Sequence, residues 1–216
     1  MWKLIMAAGI PLIGAACLFA EDKSYSFKFA KGDVGKVPAG WTVAKTGKGE
    51  GSIWKVVADD TAPSKSGFAL AQTAESPGAM FNLCVADDSK IKDGEIWVAF
   101  KAIRGNKDQG GGIVWRYRDA DNYYVARMNP LENNYRVYKV MAGNRTQLQT
   151  KENLAVPVGE WHTLKIKMIG DRIECFLDGK KELDARDSTF PEAGKVGLWS
   201  KADAQTYFDN FKVKGN

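Results

Sequence analysis

The chain is poor in the residues that most enzymes use for chemistry. It has one histidine, His162, and three cysteines, Cys17, Cys84 and Cys175. One histidine makes a histidine-based zinc centre improbable, and no CxxC pair is present to build a structural one. A Ser-His-Asp triad would have to use His162. That residue sits beside Trp161 at the start of a strand pattern, without a nucleophile-elbow context, so a structural role is expected of it. No long amphipathic helix competes for the chain, which points away from an all-α fold, and the absence of an internal repeat argues against propellers and solenoids. Beyond the N-terminal segment, no apolar run approaches membrane-spanning length. Lysines are scattered rather than clustered. The formal charge of +5 favours solubility and a weak attraction to acidic polymers, and is no footprint for nucleic acid.

Residues 1–20 have the shape of a secretory signal: Lys3, an apolar run from Leu4 to Ala20, and small residues before Glu21-Asp22-Lys23. Leu18 is an acceptable residue three before the cut. Cys17 lacks the Leu three positions ahead that a lipidation site would carry. An uncleaved anchor would be short and would contain Pro11. The expectation is therefore an exported protein, periplasmic or extracellular, with no membrane span once the signal is removed. Residues 21–216 are of a size for one domain with a real core. In an oxidising compartment Cys84 and Cys175 can pair as a disulfide; the other reading is two buried thiols on core-facing strand positions.

What the sequence has in quantity is alternation. Gly94–Arg104 places Ile96, Val98 and Phe100 against Glu95, Trp97 and Lys101. Trp161–Met168 and Arg172–Leu177 alternate in the same way, and Asp178-Gly179 is a strong hairpin signal. About a dozen short strands are expected, with at most a turn near Asp87–Ser89 or Lys201–Ala204. Together they predict an all-β fold: a two-sheet antiparallel sandwich of jelly-roll type.

The stretch Gly110–Val140 organises the rest. Folded on Asp119-Ala120-Asp121-Asn122, it pairs Arg118 with Tyr123, Tyr117 with Tyr124 and Trp115 with Ala126. A period of two then gives a core face of Ile113, Trp115, Tyr117, Tyr124, Ala126 and Met128. The opposite face carries Val114, Arg116, Arg118, Tyr123, Val125 and Arg127. Arg136, Tyr138 and Val140 are expected on that same side, with Tyr135 and Val137 inward and Lys139 left to snorkel. Arginine forks suit hydroxyls and carboxylates, and a tyrosine ring can stack on a sugar. If this sheet face is concave it is a ligand face; if convex, it is a solvated surface of stacked Arg and Tyr. Asp119, Asp121 and Asn122 have the oxygens for calcium, although capping of their own turn is the favoured reading. Trp41, Trp54 and Trp97 are core candidates; seven tryptophans are many for one core, and a surface one would support sugar stacking.

Several segments carry a family resemblance: Gly35–Trp41, GGIVWRYRDADNYYVARM (Gly111–Met128), GEWHTLKIK (Gly159–Lys167), DRIECFLDGKKEL (Asp171–Leu183) and GKVGLWSKADAQTYFDNFKV (Gly194–Val213). Together they resemble the concanavalin A-like lectin/glucanase superfamily in its laminin-G-like bacterial branch, and are similar to the domains called 3-keto-disaccharide hydrolase. The resemblance implies a sandwich whose concave face often holds carbohydrate, and it places Asp209-Asn210 at a recurring acidic position, a further calcium candidate. The Glu-x-Asp-x-x-Glu or Glu-x-Asp-x-Glu strand of family 16 glucanases, which aligns two carboxylates on one face, is absent. The nearest strand, Asp93–Val98, has Glu95 followed by apolar residues. The expected function is a carbohydrate-binding or glycan-associated module using Arg116, Arg118, Tyr123, Arg127, Arg136 and Tyr138, with no cofactor unless calcium. The alternatives are a glycoside hydrolase with carboxylates converging from different loops, and a structural envelope domain. The oligomeric state is left open.

Overall fold

A computed structural model describes residues 23–216. The signal-like segment, with Cys17, lies outside the described residues. The strands follow in order: β1 (Lys23–Ser26), β2 (Trp41–Thr46), β3 (Trp54–Ala58), β4 (Phe68–Gln72), β5 (Phe81–Ile91), β6 (Gly94–Arg104), β7 (Gly111–Asp119), β8 (Asn122–Asn129), β9 (Asn134–Met141), β10 (Asn144–Lys151), β11 (His162–Ile169), β12 (Arg172–Leu177), β13 (Lys180–Arg186), β14 (Gly194–Lys201) and β15 (Gln205–Gly215). Among the described residues the one helical element is a 3-10 turn at Lys31–Asp33.

The strands form two antiparallel sheets. The first runs β13-β12-β11-β6-β15-β4-β3, with β1 added against β15; the second runs β10-β9-β8-β7-β14-β5-β2. The sandwich expected from the alternation is the observed fold, and the inward-facing residues, Tyr117 apart, are those the period of two selected. Ile96, Val98 and Phe100 of β6 and Leu164, Ile166 and Met168 of β11 pack against Ile113, Trp115, Tyr124, Ala126, Met128, Tyr135 and Val137 of the second sheet. Asp178 and Gly179 both adopt positive φ, as a tight two-residue hairpin requires. Lys139 does not remain unpaired: its ammonium reaches Asp187 at 2.8 Å and Thr189 at 2.9 Å. Burial pushes against ionisation of Asp187, yet the hydrogen bonds from Lys139, Thr189 and Tyr124 hold its carboxyl down at about 2.

Asp87–Ser89 is not a turn. It lies within the long strand β5, opposite β14. Ser89 accepts from the amide of Val196 at 3.0 Å and donates to the carbonyl of Ala86, so the turn-forming residues are absorbed as a bulge. Cys84 and Cys175 are both free and buried. They sit on different sheets, and burial raises both thiols; of the two readings, buried core thiols is the correct one.

A second bulge changes the most. The β7–β8 ladder pairs Ile113 with Ala126, Val114 with Val125 and Trp115 with Tyr124, then jumps to Asp119 with Asn122. Arg116, Tyr117 and Arg118 therefore stand opposite Tyr123 alone. Arg116 absorbs the excess in the left-handed region, at φ 45°. The expected register was two residues out. A slip of two preserves faces, so Trp115, Tyr124, Tyr123 and Arg127 lie on the sides expected of them. Beyond the bulge the order is lost. Tyr117 leaves the core side and stacks on Tyr123, with centroids 6.1 Å apart.

Arg116 is also a correction, because it is not on the face expected to meet a ligand. It is 1% exposed. Its guanidinium donates to the carbonyls of Lys92, Phe190 and Gly170 and to Asp93 at 3.0 Å. It ties the β5–β6, β11–β12 and β13–β14 connections to β7. Removing it leaves these acceptors facing a void. Arg116→Ala should cost about 3–5 kcal/mol in urea unfolding, against less than about 0.5 kcal/mol for Arg118→Ala.

Candidate functional site

The second sheet coils so strongly that its outer face closes on itself. Thr46, on edge strand β2, meets the hydroxyl of Tyr123 on β8 at 2.8 Å and donates to the carbonyl of Ala120 in the β7–β8 turn. Strands β5, β14 and β7 lie between these partners in the sheet order. From the other edge, Arg145 on β10 lies over Phe81 of β5 at 5.0 Å and Tyr138 of β9 at 4.4 Å. Twist and bulges both drive such coiling. The enclosed face has an apolar cluster of Leu83, Val85, Val114, Tyr123, Val125, Val140 and Trp199.

One end of this concave face is polar. Arg127, 1% exposed, donates to Asn134 at 2.7 Å and to Glu132 at 2.8 Å, and lies 3.4 Å from the Tyr138 hydroxyl. Asp108 comes from the Gly-rich loop before β7. Its Oδ1 accepts the Gly110 amide at 2.7 Å, and its Oδ2 stands 3.6 Å from Lys201 Nζ. Asp203 pins that loop by accepting the amides of Asn106, Lys107 and Asp108. Among the described residues, five buried atoms of this face have no hydrogen-bond partner: Asp108 Oδ2, Arg127 Nε, Asn129 Nδ2, Arg145 Nη1 and Trp199 Nε1. Buried polar atoms are rarely left unpaired, so these atoms have hydrogen-bonding capacity that water or a polar ligand can take up.

The two carboxyls are shifted in opposite directions. Burial raises Asp108, against the lowering pull of Arg127, the Gly110 amide and Lys201, and Glu132 adds to the rise. Glu132 is held below its ordinary value: burial opposes this, but the hydrogen bond and charge of Arg127, with Asn134 and Arg136, prevail. Environments that drive two carboxyls apart are the arrangement that acid–base chemistry uses. Arg145 is lowered by its burial.

Of the residues expected at the site, Arg127 and Tyr138 are at its centre. Tyr123 is on the same face but at its apolar end. Arg136 is half-buried at the rim, paired with Glu132 at 3.3 Å and Glu152 at 3.1 Å. Arg118 is a correction: the bulge turns it away from Tyr123, and it lies over Phe190 at 5.0 Å. Asp119 caps its own turn, accepting from Asp121 N at 2.8 Å and Asn122 Nδ2, which is the favoured reading of that acidic stretch. Asp209 is buried, with Oδ2 accepting the Ser64 amide at 2.7 Å. No group of three or more metal-binding side chains occurs among the described residues. His162 is structural, with Nδ1 2.8 Å from Asp178 and its ring against Phe100. Sequence reasoning passed over Asp108, Asn129, Glu132, Asn134, Arg145, Trp199 and Lys201. For Asn129 and Lys201 the signal was present, since they alternate in step with Arg127 and Trp199.

A family described as the 3-keto-alpha-glucoside-1,2-lyase-like domain matches residues 33–214. The chain belongs to this family. In fold, the domain is similar to carbohydrate-binding module CBM66 from Bacillus subtilis, with a TM-score of 0.64 and 23% identity over 80% of this chain and 94% of that one. It is also similar to the Bacillus licheniformis β-glucanase, at TM-score 0.59 and 14% identity over 89% and 98% of the two chains. These likenesses establish the concanavalin A-like jelly-roll architecture of the lyase-like domain. A Bacillus subtilis levanase is 30% identical over 109 residues, which are 49% of this chain and 15% of the levanase.

The buried Asp108 gives a direct test. Its raised pKa favours the folded state while the group is protonated. That advantage is lost as pH rises from the ordinary carboxylate range through the folded-state value. Asp108→Asn keeps the Gly110 contact without the charge. Its melting temperature should match wild type near pH 3 and exceed it at pH 7; an equal or lower value at pH 7 contradicts the charged-burial account.

Proposed function

We propose that this domain holds a carbohydrate against the concave face of the second sheet, at its polar end. The observation that carries this is the cluster of unpartnered buried atoms on Asp108, Arg127, Asn129 and Arg145 beside the rings of Tyr138 and Trp199. A sugar offers hydroxyls to pair those atoms, and ring faces for the aromatic walls. Family membership and the fold shared with a carbohydrate-binding module support the same reading. Entry requires Arg145 to swing off Tyr138. Export on the signal-like residues 1–20 would bring the domain to extracellular or periplasmic glycans.

A second reading is favoured by Asp108 and Glu132: the site cleaves the sugar it holds. Asp108, whose burial favours its protonated form, is suited to deliver a proton to a departing glycosidic oxygen, and Glu132, which Arg127 holds below its ordinary value, to receive one from the sugar or a water. The family description directs attention to a glucoside oxidised at C3 as the substrate.

Isothermal titration of a glycan set, oxidised and ordinary, tests both. Arg127→Lys, which keeps the charge but loses the fork, and Lys201→Ala should each weaken binding by about tenfold. Undiminished affinity in both variants removes the site from this face. Under the second reading, Asp108→Asn and Glu132→Gln lower turnover of 3-keto-glucosides by about 100-fold or more while sugar still binds; absence of turnover in the wild type leaves the binding module. Chelator in a parallel titration tests calcium dependence through Asp209.

A further inference from the structure

The opposite face of the molecule has a second depression, outside the concave site. It is a trough of about 340 Å³ on the outer face of the first sheet, lined among others by Pro63, Trp97, Ala99, Thr163, Asn210 and Lys212. Its size lies at the low end of small-ligand sites, roughly 300–1,000 Å³. The ladder explains its shape. Across β11, β6 and β15, one row reads Lys165, Trp97, Lys212, and the next Thr163, Ala99, Asp209. A methyl group at Ala99 beside the indole of Trp97 leaves the floor low. A bulge in β15 between Asp209 and Lys212 holds Asn210 at φ 51°, in the left-handed region, and brings it to the trough wall. Bulges commonly re-aim side chains in this way at functional sites.

The wall chemistry is specific. Trp97 is half-exposed in the middle of its sheet; Lys165 lies 5.7 Å from its ring centroid. The other lysines nearby are tied down: Lys165 to Glu95 at 3.2 Å, and Lys101 to Asp59 beneath the ring of Trp161. Lys212 is exposed and has no carboxylate partner among the described residues. Beneath the Thr163 row, Asp209 is buried with Oδ1 unpartnered. The trough thus offers an aromatic wall, an amide, a hydroxyl and one uncommitted cation.

We propose that this trough is a second sugar subsite, selective for a pyranose bearing a carboxylate: one uronic acid residue of an acidic polysaccharide. The ring packs on Trp97, Asn210 and Thr163 meet its hydroxyls, and Lys212 pairs with the carboxylate. Attachment to an acidic polymer from this side leaves the concave face on the opposite sheet free. The excess of positive charge over the whole chain favours the same partner.

The test is titration of wild-type protein at low salt with a short oligogalacturonide and with the neutral galacto-oligosaccharide of equal length, read by tryptophan fluorescence and amide chemical shifts. The expected result is binding of the acidic oligomer alone, with shifts at Thr163, Asn210 and Lys212. Lys212→Glu and the trough-filling Ala99→Leu should each weaken it at least tenfold, whereas Lys201→Ala should leave it unchanged. Equal binding of the two oligomers, no binding at millimolar concentration, or full affinity in Lys212→Glu overturns the proposal. Loss in Lys201→Ala instead assigns the acidic sugar to the concave face. Because the two faces are mutated separately, failure of one leaves the other to stand on its own data.

Discussion

The coiling of the second sheet is the constraint on which the concave face depends. A flat sheet would hold Thr46 and Tyr123 far apart, with three strands between them; here their hydroxyls are 2.8 Å apart. That closure turns an outer sheet face into a second interior. It buries Val114, Val125 and Trp199 on the side away from the main core, and it brings Arg145 from one edge over Phe81 near the other. The bulge at Arg116 contributes by adding twist where β7 and β8 part, and the Arg116 guanidinium fixes the bulge to three connections.

Enclosure sets the electrostatics. A carboxylate on an open sheet face stays solvated and ionised, whereas Asp108, in the loop that Asp203 pins, is buried and pushed toward its neutral form. Glu132 is held below its ordinary value because Arg127 and Arg136 both reach it. The family to which the chain belongs is named for a bond cleavage, and on this face burial raises one carboxyl while a buried arginine lowers another. The first sheet makes the contrasting surface. Its lysines and aromatics are solvated in part, and apart from the buried Lys101–Asp59 pair its ion pairs are partly exposed, where each is worth little.

The architecture was legible before any coordinates because period-two alternation survives context. Ile96, Val98, Phe100, Leu164 and Ile166 had one face to bury, and they bury it. The tight turn at Asp178-Gly179 and the inward Trp115 follow from equally local rules. The site was legible only in part. Arg127 and Tyr138 lie on regular ladder and kept their side. Arg116 and Arg118 did not, because the bulge reverses the order of faces at a position whose sequence, Arg-Tyr-Arg, has no glycine to announce a left-handed residue. Asp108 and Glu132 stand on loops, where no periodicity reports direction.

By itself the sequence determined the sandwich, the inward residues and the family, since each depends on neighbours in the chain or on a pattern spread along it. Tertiary structure alone decided which arginines lie on the concave face, that the cysteines stay apart, and that a turn glutamate pairs with Arg127 while a loop aspartate feels the same charge. These depend on how far a sheet coils and on where a bulge falls, which are sums over many strands rather than properties of any one of them.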